Sequence, residues 1–272
     1  MEKIIVLVAT MEKRIIVVQI SNGYLDTGYK ATRIADPSEN LREDSNSFGG
    51  VIAYFFHGAA KTKPDGSDRF RTDMIKAREI WKLPLVEMNP IELTQQEANV
   101  INLQQEDVDC SSPFLNDEGP NNHVREEMAK KRYWDYVNLD LFGNWISVWY
   151  VPFSTFSDGT TIGCAYPNTG NPVFHYIVMS ENSNNSNNQS ALAHEIGHIL
   201  FGTVSGQDNS DPTGPSTTIF IQNDDGTTFT IEQKHSLKTD NVMYPIAGNN
   251  TGIESSQREK AAKSRILTSI TP

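Results

Sequence analysis

His194, Glu195 and His198 stand in the order His-Glu-x-x-His, which strongly constrains the fold around them. Residues four positions apart lie on one face of a helix, so His194 and His198 can direct their ring nitrogens at a single ion. Neutral imidazoles suit zinc, and a site with three protein ligands leaves a fourth position open, as in catalytic zinc sites. Glu195 is close enough to reach water on that ion. The motif therefore predicts a helix that carries a hydrolytic zinc site.

Apolar residues surround the motif and predict that its helix is buried. Ser190 or Ser186 could cap the start of this helix, and Gly202 could end it. A buried His-Glu-His triple without a cation would cost several kcal/mol in desolvation. A bound ion is therefore favoured over the alternative, in which both histidines are ordinary helix residues with hydrogen-bond partners. The apolar residues are Ala191, Leu192, Ala193, Ile196, Ile199 and Leu200.

His235 is the one histidine that follows the motif helix, and it opens a segment that reaches Met243, Tyr244 and Pro245. This segment resembles the metzincin clan of zinc peptidases. In the matrixin branch of that clan, serine follows the third zinc histidine, and a Met-Tyr-Pro turn comes at the offset that separates His235 from Met243.

The resemblance implies an endopeptidase that holds one catalytic Zn²⁺ and hydrolyses peptide bonds with zinc-activated water. His194, His198 and His235 would be the metal ligands, and Glu195 would be the general base. Met243 would form the Met-turn, a hydrophobic base beneath the zinc histidines.

The chain departs from the longer clan motif, which would place glycine at 201 and histidine at 204, where Phe201 and Val204 stand. We interpret residues 203–234 as an insertion between the second and third ligands. Alternating residues on both sides of an Asp-Gly turn predict a hairpin within it, which would return the chain to the site. Carboxylates also bind zinc, so three insertion residues remain alternative third ligands. They are Asp208, Asp211 and Glu232.

The order of elements upstream is similar to that of metzincin domains. The resemblance implies an α+β, zincin-type catalytic domain: a mixed twisted sheet, an active-site helix and a C-terminal helix beyond the Met-turn. The predicted elements are a helix capped by Thr72 and running through Lys82, strands at 91–93, 145–151 and 172–180, and a C-terminal helix with a capping box at Ser256 and Glu259 that reaches Leu267. Trp134-Asp135 and the later Gly-x-Ala-x-Pro also resemble the pappalysin branch, so the branch stays open.

The resemblance also implies a substrate-binding surface. The segment 162–166, with Gly163, Cys164 and Ala165, would be the exposed edge strand above the cleft, whose main chain pairs with an extended peptide. The alternative is an interior strand that serves only the core. Tyr244 and Pro245 would line the pocket for the substrate side chain after the scissile bond.

Length and composition fit one enzyme domain with an appendage. The chain has 272 residues, of which 38% are hydrophobic and 21% charged, as in ordinary globular proteins. We assign residues 48–272 to the metzincin-like domain. Residues 1–47 contain two apolar runs and form a β-hairpin-like extension of unknown role.

Charge and hydropathy bear on partners and location. A net charge of −11 argues against nucleic acid or an anionic membrane as a partner. The resemblance implies a peptide or protein substrate. No apolar run is long enough to span a bilayer, and the first twenty residues make a poor secretory signal. Metzincins are mostly secreted, so the resemblance implies an extracellular enzyme. Two cysteines allow one disulfide, although Cys110 could instead be a thiolate plug on zinc.

Three alternatives differ from this reading. The chain could be a catalytically silent zinc-binding module whose insertion covers the cleft, or a structural zinc protein in which Asp208 or Asp211 supplies a fourth ligand. It could also be a gluzincin-type peptidase with Glu254 or Glu259 as third ligand. Calcium could bind the acidic turns at 208–211 and 223–225, but neither matches a calcium loop, so solvated turns are favoured. The presence of Glu195, which a structural site does not need, favours the peptidase.

Overall fold

The structure, a computed structural model, describes residues 7–11, 14–21, 24–26, 47–112, 115, 123–135, 145–167, 175–205, 210–222, 228–246 and 248–269. The strands are β1 Leu7–Met11, β2 Arg14–Ser21, β3 Tyr24–Asp26, β4 Ser47–Phe55, β5 Leu85–Glu87, β6 Ile91–Glu92, β7 Ile146–Tyr150, β8 Gly163–Tyr166, β9 His175–Met179, β10 Ile219–Gln222, β11 Thr228–Ile231 and β12 Thr268–Ser269. The α-helices are α1 Arg69–Trp81, α2 Gln95–Ile101, α3 Val124–Asp135, α4 Ala191–Gly202 and α5 Ser255–Ala261.

A seven-stranded mixed sheet forms the centre of the fold. β4 pairs in parallel with β7 on one side and with β5 and β6 on the other, and β9 continues the parallel order beyond β7. β12 runs antiparallel to the start of β4. β8 lies antiparallel to β9 and, among the described strands, pairs with no other. The segment predicted as an edge strand is therefore at the edge of the sheet.

Helices cover both faces of this sheet, which explains why β7 and β9 are buried along their whole length. Side chains alternate between the faces: Val51 and Ala53 of β4 pack in the same cluster as α1 and α4, whereas Ile52 packs in the cluster that contains residues of α2 and α3. The motif helix α4 therefore lies against the first face, packed beside α1.

The start of α1 differs from the prediction. Asp68, not Thr72, is the N-cap, and its carboxylate accepts a hydrogen bond from the amide of Arg71 at 2.7 Å. Thr72 lies one turn inside the helix, where its hydroxyl bonds Ser67 at 3.1 Å. An aspartate with extended backbone dihedrals is the stronger cap because its charge also complements the helix dipole.

The C-terminal helix also starts and ends earlier than predicted. Its capping box is formed by Glu254 and Gln257, not by Ser256 and Glu259, and α5 ends at Ala261 instead of Leu267. The helix stops because the buried Ser264 turns toward α4, where its hydroxyl lies 2.5 Å from that of Thr203. The chain then returns to the sheet as β12.

The hairpin predicted inside the insertion is present. β10 and β11 pair antiparallel with Ile219 opposite Ile231, and the Asp-Gly turn between them lies outside the described residues. β1, β2 and β3 form a separate antiparallel sheet in which β1 and β2 make the predicted N-terminal hairpin. The division of the chain at residue 48 stays a prediction. None of the described helices is both long and apolar enough to cross a membrane.

Candidate metal centre

α4 places the motif side chains because it is anchored in the core on nearly every side. Ten of its residues are buried, including His198 and Glu195. Ser190 stands at the N-cap position, but its side chain makes no capping hydrogen bond. Core packing therefore holds α4, and a side-chain cap does not. The polar residues of the motif face one cleft.

Three imidazoles converge in this cleft. Among the described residues, one cluster of side chains could hold a metal ion: the ligand atoms of His194, His198 and His235 all lie within 4.8 Å of one another. The Nε2 atoms of His194 and His198 are 3.0 Å apart. Nitrogens held about 2.1 Å from one tetrahedral zinc ion lie about 3.4 Å apart, so this spacing fits a shared ion.

The main-chain carbonyl of Val242 sets the tautomer of His194. It lies 2.7 Å from Nδ1, which must carry the proton to donate this bond. The lone pair of the neutral ring is then on Nε2, the atom that faces His198. A lone pair aimed at a second imidazole nitrogen calls for a cation or a proton between them, and a metal held by three imidazoles meets this need.

Burial keeps these rings uncharged. It lowers the pKa of His194, lowers that of His198 well below the ordinary range with the help of neighbouring positive groups, and lowers that of His235 to about 3. Each ring is therefore neutral at pH 7 and able to bind a metal. The donor set, three neutral imidazoles, suits zinc.

The segment that carries His235 is held in place by a closed turn. The amide of Ser236 donates to the carbonyl of Met243 at 2.9 Å, and the amide of Met243 donates to the side chain of Asn241 at 2.9 Å. Gln257 of α5, which is fully buried, pairs through its side-chain amide with that of Asn241. α5 therefore fixes the turn that follows the third histidine.

Asp211 does not join the cluster of imidazoles. Its carboxylate accepts hydrogen bonds from Thr213 and, at 2.8 Å, from Gln257. Glu232 lines the cleft but is not a member of the cluster, and Asp208 lies outside the described residues.

The two gluzincin candidates are also absent from the cluster. Glu254 starts α5 and pairs with Lys238, and Glu259 is exposed. Of the third ligands considered for the described part of the chain, His235 alone lies with the motif histidines.

Glu195 reaches the same cleft from the neighbouring position on α4. Its side chain is tightly confined, because a Cβ placed on Gly163 of β8 would lie 2.7 Å from its Oε1 and 2.9 Å from its Cγ. Burial raises the pKa of this carboxyl to about 8, and a cation on the adjacent histidines would lower it again. Only a glycine at 163 lets the edge strand approach the carboxylate this closely.

Met243 is fully buried beneath the motif helix. A Cβ at Gly197 would overlap its sulfur and would lie 2.6 Å from Cζ2 of Trp81. Glycine at this position of the motif therefore lets Met243 and Trp81 approach the helix backbone directly below the histidines.

The cleft has a volume of about 850 Å³. Gly163 and Ala165 of β8 line it, and so do Tyr244 and Pro245 of the turn after the third histidine. Cys164 points to the opposite face of the sheet and is disulfide-bonded to Cys110, with 5.3 Å between the Cα atoms. The interpretation of Cys110 as a free thiolate on the metal is therefore wrong.

Two contributors to the site escaped sequence reasoning. The carbonyl of Val242 orients His194, and a main-chain group leaves no signal in the residue type. The indole of Trp81 donates to the carbonyl of Ala193 at 2.8 Å. The apolar face of α1 did place Trp81 toward the core, but its partner could not be identified without the packing of the two helices.

Comparison with known proteins finds a likeness among solved structures. No protein-family model and no curated protein matches the chain. Among solved structures it is similar to metalloproteinase-II from Bacteroides fragilis, with 12% sequence identity, a TM-score of 0.44, and coverage of 79% of this chain and 52% of that one. The chain thus spans about half the length of that protein, and the assignment of the site depends on its own geometry.

Proposed function

We propose that this chain is a zinc-dependent endopeptidase. The observation that carries the proposal is the convergence of three neutral imidazoles and the buried carboxylate of Glu195 in one cleft beside an edge strand. His194, His198 and His235 would hold the ion. Zinc bound there supplies Lewis-acid chemistry: it polarises the scissile carbonyl and makes water more acidic.

Glu195 moves the proton. Its carboxylate takes the proton of the attacking water and delivers it to the leaving amine, which cannot depart as an anion at neutral pH. The contact with Gly163 limits the positions this carboxylate can adopt, so proton transfer proceeds from a prearranged geometry.

β8 and residues 244–245 would bind the substrate. β8 pairs with β9 on one side only among the described strands, so its free side can bond the main chain of an extended peptide. Gly163 and Ala165 would provide these bonds, with Cys164 between them in the strand. Tyr244 and Pro245 would contact the side chain that follows the scissile bond.

The test uses the zinc-loaded protein, a mixed peptide library and mass spectrometry of the products. The wild type should cleave internal bonds. Glu195→Gln should bind one zinc per chain and cleave nothing, and His235→Ala should lose both zinc and cleavage. Glu259→Gln is the matched carboxylate control: it should keep both, whereas a loss of zinc in this variant would support the gluzincin alternative.

The remaining outcomes are equally distinct. Zinc binding with no cleavage by the wild type would reject the peptidase and leave a binding module. Zinc binding that survives in His235→Ala would reject the proposed ligand set.

A further inference from the structure

The disulfide between Cys110 and Cys164 joins a loop to the edge strand of the candidate site. Cys164 is 1% exposed in the middle of β8, and Cys110 is exposed on the segment that follows the short 3-10 helix Gln105–Asp107. The two cysteines are 54 positions apart in the sequence. β8 has a hydrogen-bonded strand partner on one side only among the described residues, so the loop is a second, covalent attachment.

Hydrogen bonds hold the same loop close to this part of the fold. The hydroxyl of Tyr166, two residues beyond Cys164 on β8, donates to the carbonyl of Asp109 at 3.2 Å. The side chain of Gln105 donates to the carbonyl of Phe156 at 3.0 Å. Cys164 and Tyr166 belong to the cluster on the sheet face away from α4, and Cys110 and Ser111 line the candidate cleft, so the loop contacts β8 beside the site.

The residue before Cys164 touches the catalytic carboxylate on the other face. Gly163 lies so close to Glu195 that a Cβ would come within 2.7 to 3.0 Å of its Oε1, Cγ and Cδ. A shift of β8 by a fraction of this distance would change the space open to that carboxylate. The covalent bond on one face of the strand and the catalytic contact on the other are one residue apart.

We propose that the Cys110–Cys164 disulfide positions the active site: it holds β8 where Gly163 confines Glu195 and where the strand can pair with substrate. The proposal rests on the proposed function. Breaking the bond removes the covalent attachment of this edge strand, so Gly163 becomes a less fixed neighbour of Glu195. The three histidines, which lie on α4 and on the turn before Met243, keep their places.

Reduction with a water-soluble phosphine tests this in the wild type. The phosphine takes oxygen from water and becomes its oxide, the S–S bond breaks, and both sulfurs become thiols. A phosphine is preferred to a dithiol because a dithiol would also bind zinc. The double variant Cys110→Ala/Cys164→Ala also lacks the disulfide, and it needs no reductant.

We expect kcat to fall about tenfold or more in both states, since an ångström of misplacement costs up to about a hundredfold. Zinc content should stay at one per chain. Gly163→Ala, with its disulfide intact, should also lose kcat and keep zinc, because it displaces the same carboxylate. The control is Met128→Ala on α3, a fully buried residue of the same cluster as Cys164: it should lower the melting temperature and leave the kcat of the folded protein unchanged.

Three results would overturn the proposal: an unchanged kcat after reduction, a fall in kcat that follows zinc loss, or an equal fall in Met128→Ala. Hydrogen exchange separates this proposal from the proposed function. If the oxidised wild type cleaves nothing, the peptidase assignment fails. Amide hydrogen exchange at α4 then tests whether the disulfide positions Glu195. Faster amide exchange around Glu195 after reduction, without faster exchange there in Met128→Ala, would support the positioning role of the disulfide. Unchanged exchange at α4 after reduction would reject it.

Discussion

The indole nitrogen of Trp81 donates a hydrogen bond to the carbonyl of Ala193 at 2.8 Å, directly before the first motif histidine. The last residue of α1 thereby contacts α4 at the turn that carries His194. The same indole lies against Gly197 and packs edge-on against Phe201, with ring centroids 5.6 Å apart. One tryptophan therefore supports the motif helix along two turns.

Trp81→Phe should weaken zinc binding as well as stability. The change removes the indole donor and part of the buried surface, at about 1–3 kcal/mol in the free energy of unfolding. Urea unfolding and a competitive zinc titration measure the two effects. Trp149→Phe is the matched control, since Trp149 is as buried but its nitrogen has no hydrogen-bond partner among the described residues. Equal zinc affinities in the two variants would contradict the role of Trp81.

Gly197→Ala should destabilise the protein by about 1–3 kcal/mol, because the added methyl overlaps the sulfur of Met243 and the ring of Trp81. The double variant with Met243→Ala removes one of these clashes, so its loss of stability should be smaller than the sum of the losses in the two single variants. Thermal unfolding of the single and double variants measures this coupling. If the two changes add without recovery, Met243 does not limit the space at Gly197.

Asp211→Ala should leave zinc binding intact and reduce stability by about 2 kcal/mol or more. The carboxylate accepts hydrogen bonds from the amide of Thr213 and from the buried side chain of Gln257, and its removal deprives both donors of their charged acceptor. Metal analysis and denaturant unfolding of the zinc-free protein give the two results. Loss of zinc in Asp211→Ala, with zinc retained in His235→Ala, would make the aspartate the third ligand.

His175 should make stability depend on pH. Burial, with the positive charge of Arg132, lowers the pKa of its imidazole from 6.5 to about 3, so the unfolded chain binds the proton more tightly than the folded protein. The contribution of the neutral imidazole to the free energy of unfolding is complete above pH 6.5. It is lost as the pH falls toward 3, with a slope of at most about 1.4 kcal/mol per pH unit.

His175→Leu should flatten this dependence. Denaturant unfolding of the metal-free protein between pH 6.5 and 5 should give a shallower slope for the variant. The three histidines of the candidate centre contribute to both proteins, so the difference belongs to position 175. Parallel curves would show that His175 takes up its proton in the folded state.

Much of the fold around the motif could be predicted because its signals are local. Aromatic and β-branched residues located β7, alternating residues located the insertion hairpin, and the spacing of the apolar residues on α1 located that helix. The caps of α1 and α5 were misplaced because several polar residues near each end could serve. In the folded protein, the extended backbone of Asp68 and the burial of Gln257 decide which of these residues form the caps. The central strand β4 was not assigned, and its position between β5 and β7 depends on pairing across the whole domain.

By itself, the sequence determined the pair His194 and His198 with Glu195 beside them, because the helical repeat places residues four apart on one face whatever the rest of the fold does. It also supplied His235 and left carboxylates as competitors. The tertiary structure decided among them, since the return of the chain after an insertion depends on how the hairpin, Asn241 and Gln257 pack. It likewise brought Gly163 to Glu195 and Trp81 to Ala193. These contacts join segments far apart in the chain, and close packing, not local periodicity, sets their distances.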